Sequence, residues 1–319
     1  MADYDVFNGD ADGICALVQL RQAEPRDTTL VTGVKRNIQL LKQVTPNGGD
    51  RVTVLDISMA KNNLDLVRIL DSGATVFYVD HHSSGPVPAS SSLISLINES
   101  ANVSTSVLVN QYLRGSKLLW ATVGTFGDNL KQVANGMLKN TDISREQRDL
   151  LEKLGIYMNY NGYGADIEDL HFAPADLYCA VIPYSSPLEF IDVERHQFDK
   201  LESGYHQDLN AANQVKPYIQ KSATSAYILP DQPWARRVSG AFSNNLTNKY
   251  PQKAHAVLTQ KSCGNYLVSV RAPLSNKTGA SRLCSSFATG GGREAAAGIN
   301  NLPSGQLDEF MAKFQHAYK

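Results

Sequence analysis

Short β-branched runs alternate with helical spacing of apolar residues in the first third of the chain. Helices are predicted over Gly13–Gln22 and Lys61–Leu70, and a third over Val107–Leu113, where Ser104 and Thr105 are typical N-cap residues. The predicted strands are Tyr4–Phe7, Thr29–Val34, Val52–Leu55, Thr75–Val79 and Leu93–Ile97. This alternation is typical of βαβ units, so we predict an α/β domain with a mostly parallel sheet flanked by helices.

The pattern changes in the second half of the chain. A polar, charged stretch from Phe190 to Lys216 contains no proline and predicts a connector that is helical in part. Beyond it, the predicted strands are Ala226–Leu229, His255–Gln260 and Tyr266–Arg271, and the predicted helices are Trp234–Tyr250, Ser281–Phe287 and Gly305–Tyr318. We therefore predict an α/β domain over residues 1–189, a connector over 190–220 and a smaller α+β domain over 221–319.

Composition and charge exclude several classes of function. The chain has 30 basic and 31 acidic side chains and a net charge of −1, which argues against coating of long nucleic acid by surplus positive charge. No apolar run approaches the roughly 20 residues of a membrane helix, and the acidic start does not resemble a secretory signal. The four cysteines lie far apart, which disfavours a disulfide framework or a zinc site. We expect a soluble, cytoplasmic protein.

Acidic residues follow three of the predicted strands at their carboxyl ends. Asp10 and Asp12 come after the first strand, Asp56 ends another, and Asp80 ends a third and is followed by two histidines. The carboxyl ends of parallel strands face one crevice, where crowded carboxylates repel one another unless cations lie among them. Taken alone, each aspartate is better explained as a turn or helix-cap residue. Together they predict a divalent metal site, and oxygen ligands with imidazole suit Mn²⁺ or Mg²⁺ better than zinc.

Four motifs around these residues resemble, in the same order, those of the DHH phosphoesterase superfamily. They are Asn8-Gly9-Asp10-Ala11-Asp12-Gly13, Val54-Leu55-Asp56-Ile57-Ser58, Asp80-His81-His82 and Gly124-Thr125-Phe126-Gly127-Asp128-Asn129. The run from Gly290 to Gly298, with Val268–Arg271 before it, is similar to the DHH-associated substrate-binding domain. The superfamily includes RecJ-type exonucleases, nano-RNases, cyclic-dinucleotide phosphodiesterases and family II pyrophosphatases.

The resemblance implies a centre of two Mn²⁺ ions, or of Mg²⁺ in their place. Its ligands would be Asp10, Asp12, Asp56, His81 and Asp128. Asp56 would bridge the ions, which together activate water and stabilise the leaving oxygen. The resemblance also implies catalytic roles for two further residues: Asp80 would orient His81, and His82 would donate a hydrogen bond to the phosphate.

Two positions depart from the family pattern. Many members have a histidine two or four residues before the aspartate that matches Asp10, where this chain has Asn8 and Val6. One metal ion would therefore have fewer ligands, unless the Asn8 carbonyl or water completes its shell. The glycine motif continues with Arg293 where histidine is more common, and arginine keeps a permanent charge for phosphate recognition.

The glycine motif predicts a phosphate-binding site. Its members would be Gly290, Gly291, Gly292, Arg293 and Arg271. We expect a helix over Arg293–Ala297. Phosphate would bind at its start, because exposed backbone N–H groups at the start of a helix, with an arginine beside them, attract anions. A plain glycine loop is the alternative. Tyr157, Tyr160 and Tyr163 offer either a base-stacking surface or a packed tyrosine segment.

The predicted partners are short nucleic-acid fragments or dinucleotides. A pyrophosphatase would lack the glycine motif, a processive exonuclease would add domains with a basic, aromatic groove, and cyclic-dinucleotide phosphodiesterases are usually larger. We therefore expect a phosphodiesterase that converts short 5′-phosphorylated oligonucleotides, especially pGpG or pApA, to mononucleotides. A RecJ-like single-strand exonuclease, a nucleoside 3′,5′-bisphosphate phosphatase and a non-catalytic nucleotide-binding protein are the alternatives. The sequence indicates no protein partner and leaves a homodimer open.

Overall fold

The computed structural model describes residues 1–319 and divides into two compact units, Met1–Ser203 and Gly204–Lys319. The strands of the first unit are β1 (Asp3–Phe7), β2 (Thr29–Val31), β3 (Arg51–Leu55), β4 (Thr75–Asp80) and β5 (Leu93–Ile97). Its helices are α1 (Ala11–Ala23), α2 (Met59–Asp71), α3 (Thr105–Tyr112), α4 (Leu118–Gly127), α5 (Lys131–Met137), α6 (Arg145–Asn161), α7 (Pro174–Val181) and α8 (Pro187–Val193). Helix α9 (Arg195–Gln214) contains the point of division.

All neighbouring strands of the first sheet run parallel, in the order β2-β1-β3-β4-β5. Val52, Thr53, Val54 and Leu55 of β3 are all buried. Successive strand residues point to opposite faces, so both faces of the sheet are covered. The predicted α/β architecture with a parallel sheet is confirmed. The carboxyl ends of β1, β3 and β4 consequently lie at one edge of the sheet.

Side-chain caps explain where two helices of this unit begin. The Ser104 hydroxyl accepts a hydrogen bond from the Val107 N–H at the start of α3. A capping box is present at the start of α6, where Ser144 and Gln147 each accept a hydrogen bond from the other's backbone N–H. No helix of the chain combines the length and apolarity that crossing a bilayer requires.

The second unit is built on a mixed sheet. Its strands are β6 (Ile219–Gln220), β7 (Thr224–Leu229), β8 (Ala254–Gln260), β9 (Tyr266–Arg271), β10 (Gly290–Gly292) and β11 (Ala296–Leu302), and its helices are α10 (Pro233–Lys249), α11 (Ala280–Ser285) and α12 (Leu307–Ala317). The order is β10-β11-β9-β8-β7-β6, with only β7 and β8 parallel. Phe310 and Phe314 of α12 pack with Val268 and Val270 of β9 in its core. The predicted smaller α+β domain is confirmed.

The helix expected over Arg293–Ala297 is wrong. The residues between β10 and β11 form a hairpin turn, in which the Arg293 N–H donates to the Ala296 carbonyl at 2.9 Å. Gly292 lies opposite Ala297 with a φ of +140°, and a Cβ at Gly292 would lie 2.5 Å from the Ala297 Cα. Strand pairing at this close approach therefore overrides the helical tendency of the alanines.

Candidate metal centre

One imidazole nitrogen faces three carboxylates at the carboxyl edge of the parallel sheet. His81 Nε2 lies 3.2 Å from Asp128 Oδ2, 3.4 Å from Asp56 Oδ1 and 3.9 Å from Asp12 Oδ2. Asp12 belongs to α1, Asp56 and His81 follow β3 and β4, and Asp128 follows α4. The fold thus brings together four of the five predicted metal ligands. We call these four residues, together with the fifth, Asp10, the acidic cluster.

The backbone sets the orientation of His81. Its Nδ1 donates to the Val103 carbonyl at 2.7 Å, which directs Nε2 toward the carboxylates. Burial opposes the charged imidazolium, but the hydrogen bond with Asp56 and the charge of Asp128 outweigh burial and raise the pKa of His81 to about 10. The proton that His81 holds in this state is therefore tightly bound.

Asp80 serves a different histidine from the one predicted. Its buried Oδ1 accepts a hydrogen bond from His82 Nδ1 at 2.7 Å, while His81 bonds the backbone instead. The prediction that Asp80 orients His81 is therefore wrong. The His82 side chain is 39% exposed, and its Nδ1 lies 3.9 Å from Asp56 Oδ1. Asp80 fixes the ring of a histidine at the accessible rim of the acidic cluster.

The start of α3 holds the Asp12 carboxylate. The Thr105 N–H donates to Asp12 Oδ2 at 2.7 Å, and the Ser106 N–H donates to Oδ1 at 2.8 Å. Unpaired N–H groups of a first helical turn favour an anion in this position. Burial and the charge of Asp128 nevertheless raise the pKa of Asp12 to about 6. Each oxygen of this carboxylate keeps a lone pair for a further partner.

Asp56 has an uncommon backbone conformation. Its φ is +60°, a left-handed value that aspartate tolerates better than most residues. The Thr105 hydroxyl donates to Asp56 Oδ1 at 3.1 Å. Burial, followed by repulsion from Asp10 and Asp12, raises the pKa of Asp56 well above its usual range. The left-handed turn after β3 thus places a carboxylate where its charge is costly without a cation.

Sequence reasoning missed Lys35. Its ammonium donates to Asp10 Oδ2 and to Asn159 Oδ1, the latter at 2.8 Å, and lies 3.7 Å from Asp128 Oδ1. Burial opposes the charge on Lys35, but the Asp10 carboxylate outweighs burial and raises the lysine pKa well above its usual value. The same pairing lowers the pKa of Asp10 against the opposing effect of burial. Lys35 lies beyond β2, the neighbour of β1, so the rule about strand ends could have found it.

No protein-family model and no curated protein matches this chain. Solved structures of similar fold include a DHH-domain protein described as a member of a family of ribosomal proteins, with 12% identity, a TM-score of 0.66 and coverage of 99% of this chain and 86% of that one. Exonuclease RecJ bound to manganese has 15% identity and a TM-score of 0.60, with coverage of 99% and 90%. The pGpG-specific phosphodiesterase PggH from Vibrio cholerae has 16% identity and a TM-score of 0.54, with coverage of 98% of both chains. The chain has the DHH-superfamily fold.

The donor set of this DHH fold suits a divalent cation. Ligand atoms of Asp12, His81 and Asp128 lie within 4.8 Å of one another, as do those of Asp56, His81 and His82. Several carboxylate oxygens suit Mn²⁺, and one or two imidazoles are compatible with a transition-metal ion of this kind. The buried like charges at Asp12 and Asp56 give the same indication, because a cation would relieve their repulsion. The residues present therefore fit the predicted metal, and their roles as ligands stay a prediction.

The predicted phosphate-binding residues belong to the second unit. Gly290, Gly291 and Gly292 form β10, an edge strand, and Arg293 begins the turn after it and is exposed. Arg271, at the end of β9, lies opposite Ala296 and donates to Asn244 Oδ1 at 3.0 Å. Both arginines thus lie near the hairpin turn, and their role in phosphate binding stays a prediction.

Two of the three tyrosines belong to the core. Tyr157 and Tyr160 are buried, and their hydroxyls bond Glu202 and His171. They therefore follow the packed alternative rather than a base-stacking surface. Tyr163 is half-buried, and the Lys35 ammonium lies 5.5 Å from its ring centre. Its ring supports Lys35 through a cation–π contact.

Proposed function

We propose that this chain is a metal-dependent phosphodiesterase that hydrolyses short 5′-phosphorylated oligonucleotides, above all pGpG or pApA, to mononucleotides. The convergence of Asp12, Asp56 and Asp128 on His81 Nε2 carries this proposal. Similar folds in a manganese-bound RecJ and in a pGpG-specific phosphodiesterase support the metal and the substrate class. The predicted cytoplasmic location and a homodimer remain predictions.

Residues of the acidic cluster that converge on His81, namely Asp12, Asp56 and Asp128, would hold a divalent ion together with His81, and Mn²⁺ is our first choice. A bound divalent ion lowers the pKa of a water molecule and polarises a phosphoryl oxygen. His82 acts beside it: Asp80 Oδ1 accepts a hydrogen bond from the His82 Nδ1–H, which leaves Nε2 as the nitrogen for the substrate. In its charged form His82 donates from Nε2 to a phosphate oxygen. Asp80 is a positioning residue for this contact.

The second unit would bind the terminal 5′-phosphate. Arg293 supplies an exposed guanidinium at the hairpin turn, and Arg271 lies near that turn. At Gly291 there is open space where a Cβ would lie, so an anion has access to the backbone of β10.

Chromatography of reaction products tests this function. Purified protein with Mn²⁺ or Mg²⁺ is given 5′-phosphorylated dinucleotides, longer RNA, single-stranded DNA, a nucleoside 3′,5′-bisphosphate or pyrophosphate. We expect dinucleotides to yield mononucleotides fastest, with no turnover by Asp56→Ala and normal turnover by Asp65→Ala, a partly exposed residue of α2 that pairs with Arg68.

Three outcomes would contradict the proposal. Equal or faster degradation of longer strands would indicate a RecJ-like exonuclease, and release of inorganic phosphate from the bisphosphate alone would indicate a phosphatase. Binding of dinucleotides with Mn²⁺ but without conversion would leave a non-catalytic nucleotide-binding protein.

A further inference from the structure

The Lys35 ammonium is paired with the Asp10 carboxylate, which the resemblance assigns as a ligand of one of two metal ions. Its Nζ donates to Asp10 Oδ2 and to Asn159 Oδ1, and it lies 3.7 Å from Asp128 Oδ1. A divalent ion on Asp10 Oδ2 would lie beside this positive charge, and like charges repel strongly at a buried site with a low effective dielectric constant. Lysine and ion therefore compete for one position.

The second oxygen of Asp10 is engaged as well. Asp10 Oδ1 accepts hydrogen bonds from the N–H groups of Asp12 and Gly13, at 3.0 and 3.1 Å, and so caps α1. Both of its lone pairs are then in use. Each oxygen of Asp12, in contrast, accepts one N–H bond from α3 and keeps a lone pair. The two aspartates of one motif thus differ in their capacity to bind a metal ion.

The path of the lysine side chain is fixed from several sides. The Lys35 N–H donates to the Gly162 carbonyl at 2.8 Å, and the Tyr163 ring lies against the ammonium. After β1, Asn8 has a buried amide oxygen without a hydrogen-bond partner, where many family members have an imidazole. The chain thus has a placed cation next to Asp10 and no imidazole in the strand that leads to it.

We propose that the centre holds a single divalent ion, at Asp12, Asp56, His81 and Asp128, and that the Lys35 ammonium stands in place of a second ion at Asp10. This inference rests on the metal centre of the proposed function and differs from the two-ion arrangement that the resemblance implies. An ammonium supplies positive charge and N–H donors, but it accepts no lone pair as a Lewis acid. Lys35 would therefore neutralise Asp10 without activating water.

Metal stoichiometry tests the inference without any turnover. Mn²⁺ is titrated calorimetrically into metal-free protein, with and without AMP, and bound manganese is counted by elemental analysis after dialysis. We expect one ion per chain for the unmodified protein, for Lys35→Arg and for Lys139→Met, a control at an exposed lysine. Lys35→Met should bind a second, weaker ion, and the double variant Lys35→Met with Asn8→His should bind two ions more tightly.

Electron paramagnetic resonance gives an independent readout. Isolated Mn²⁺ gives a six-line signal, whereas two ions bridged by a carboxylate are magnetically coupled and give a different, multiline signal. We expect the isolated signal from the unmodified protein and the coupled signal from the double variant. Two ions in the unmodified protein, with or without AMP, would overturn the inference, as would one ion in a folded double variant.

The outcome is separable from that of the proposed function. A chain that binds two ions and cleaves pGpG would refute the role of Lys35 and retain the phosphodiesterase. A chain that binds one ion but converts no substrate would refute the phosphodiesterase and retain the role of Lys35. Since the first expectation concerns the unmodified protein, misfolding of a variant would not protect the inference.

Discussion

The acidic cluster of the first unit and the glycine strand β10 of the second are both predicted to meet phosphate, but the fold holds them differently. Asp12 is bonded by two backbone N–H groups and is fully buried. Strand β10 pairs only with β11, and Arg293 beside it is exposed. Buried charges interact strongly and exposed charges are screened by water and salt. Substitutions should therefore have large effects in the first region and modest ones in the second.

The largest effect is expected from Asp56→Asn. Loss of a central carboxylate should lower kcat by at least about 10³-fold, as for other groups that stabilise transition-state charge. Without metal, the melting temperature of the variant should exceed that of the unmodified protein by about 2–4 °C for each kcal/mol of repulsion removed. Asparagine also tolerates the positive φ.

The sign of the stability change follows from the raised pKa of Asp56. A carboxyl group with a folded-state pKa above its usual 3.8 destabilises the fold at neutral pH, and this cost vanishes below about pH 4, where both states are protonated. Melting scans in EDTA at pH 7 and pH 4 measure it. Full activity of the variant, or equal gains at both pH values, would contradict the assignment.

Asp80→Asn should lower kcat by about 10- to 100-fold, the range typical of groups that orient the ligands of a metal site, which we extend to His82 beside the metal. The reason is the 2.7 Å hydrogen bond that fixes His82. Steady-state kinetics, combined with the calorimetric affinity for Mn²⁺, shows whether Asp80 acts through His82 or through the predicted metal ligand His81. If affinity for Mn²⁺ falls and kcat at saturating metal does not, Asp80 acts on the metal ligand His81 after all.

Binding of Mn²⁺ should depend on pH in the first region. His81, with a pKa of about 10, must lose a proton when its Nε2 accepts a metal, so we expect release of at least one proton near pH 8. Below pH 6 Asp12 also binds a proton, and affinity should fall by roughly a further tenfold per pH unit. Calorimetry in buffers of different ionisation enthalpy measures this release. A pH-independent affinity would exclude His81 and Asp12 as ligands.

A smaller effect is expected at the exposed arginine of the second region. Arg293→Ala should raise KM by about fivefold, corresponding to roughly 1 kcal/mol for a solvent-screened charge, and leave kcat unchanged. Arg282→Ala, at another exposed arginine of the second unit, serves as the matched control. A fall in kcat with constant KM would contradict a role in binding the remote phosphate.

The smallest effect separates two adjacent glycines. At Gly290 a Cβ would lie 1.7 Å from the Cys284 carbonyl oxygen, whereas at Gly291 it would meet nothing within 4 Å. Gly291→Ala should therefore leave the melting temperature unchanged. It should raise KM by about two- to threefold, an effect smaller than that expected from the loss of one typical hydrogen bond. Gly290→Ala should instead lower the melting temperature. Unchanged KM for Gly291→Ala would argue against an anion at this strand.

Much of the first unit was predictable because its signals are local. The β-branched runs gave the parallel strands, and parallel order then required the residues after β1, β3 and β4 to meet at one edge. The helix expected over Arg293–Ala297 failed for the opposite reason. Alanine-rich sequence favours a helix only weakly, and pairing with β9 and β10 decides the conformation of Ala296 and Ala297.

Hydrogen-bond partners were the least predictable part of the site. The Val103 carbonyl that orients His81 belongs to a backbone segment 22 residues away, and no side-chain type marks it. The strand-end rule places Lys35 at the same edge as the aspartates, but its pairing with Asp10 follows from the position of β2 next to β1, an order that periodicity does not specify. Composition shows which charges exist, whereas tertiary packing decides which of them are paired.

The contact between Asp12 and α3 gives this aspartate a structural role in addition to its predicted role as a metal ligand. The Asp12 carboxylate accepts hydrogen bonds from Thr105 and Ser106 in the first turn of α3, 93 and 94 residues later in the chain. Removal of this carboxylate would therefore lower the stability of the fold as well as the activity. The Asp128 carboxylate has no such backbone duty among the bonds described. In a homologue that is no longer selected for hydrolysis, we therefore expect substitutions at Asp128 to appear first. Asp12 should be retained for longer, because its carboxylate still stabilises the fold.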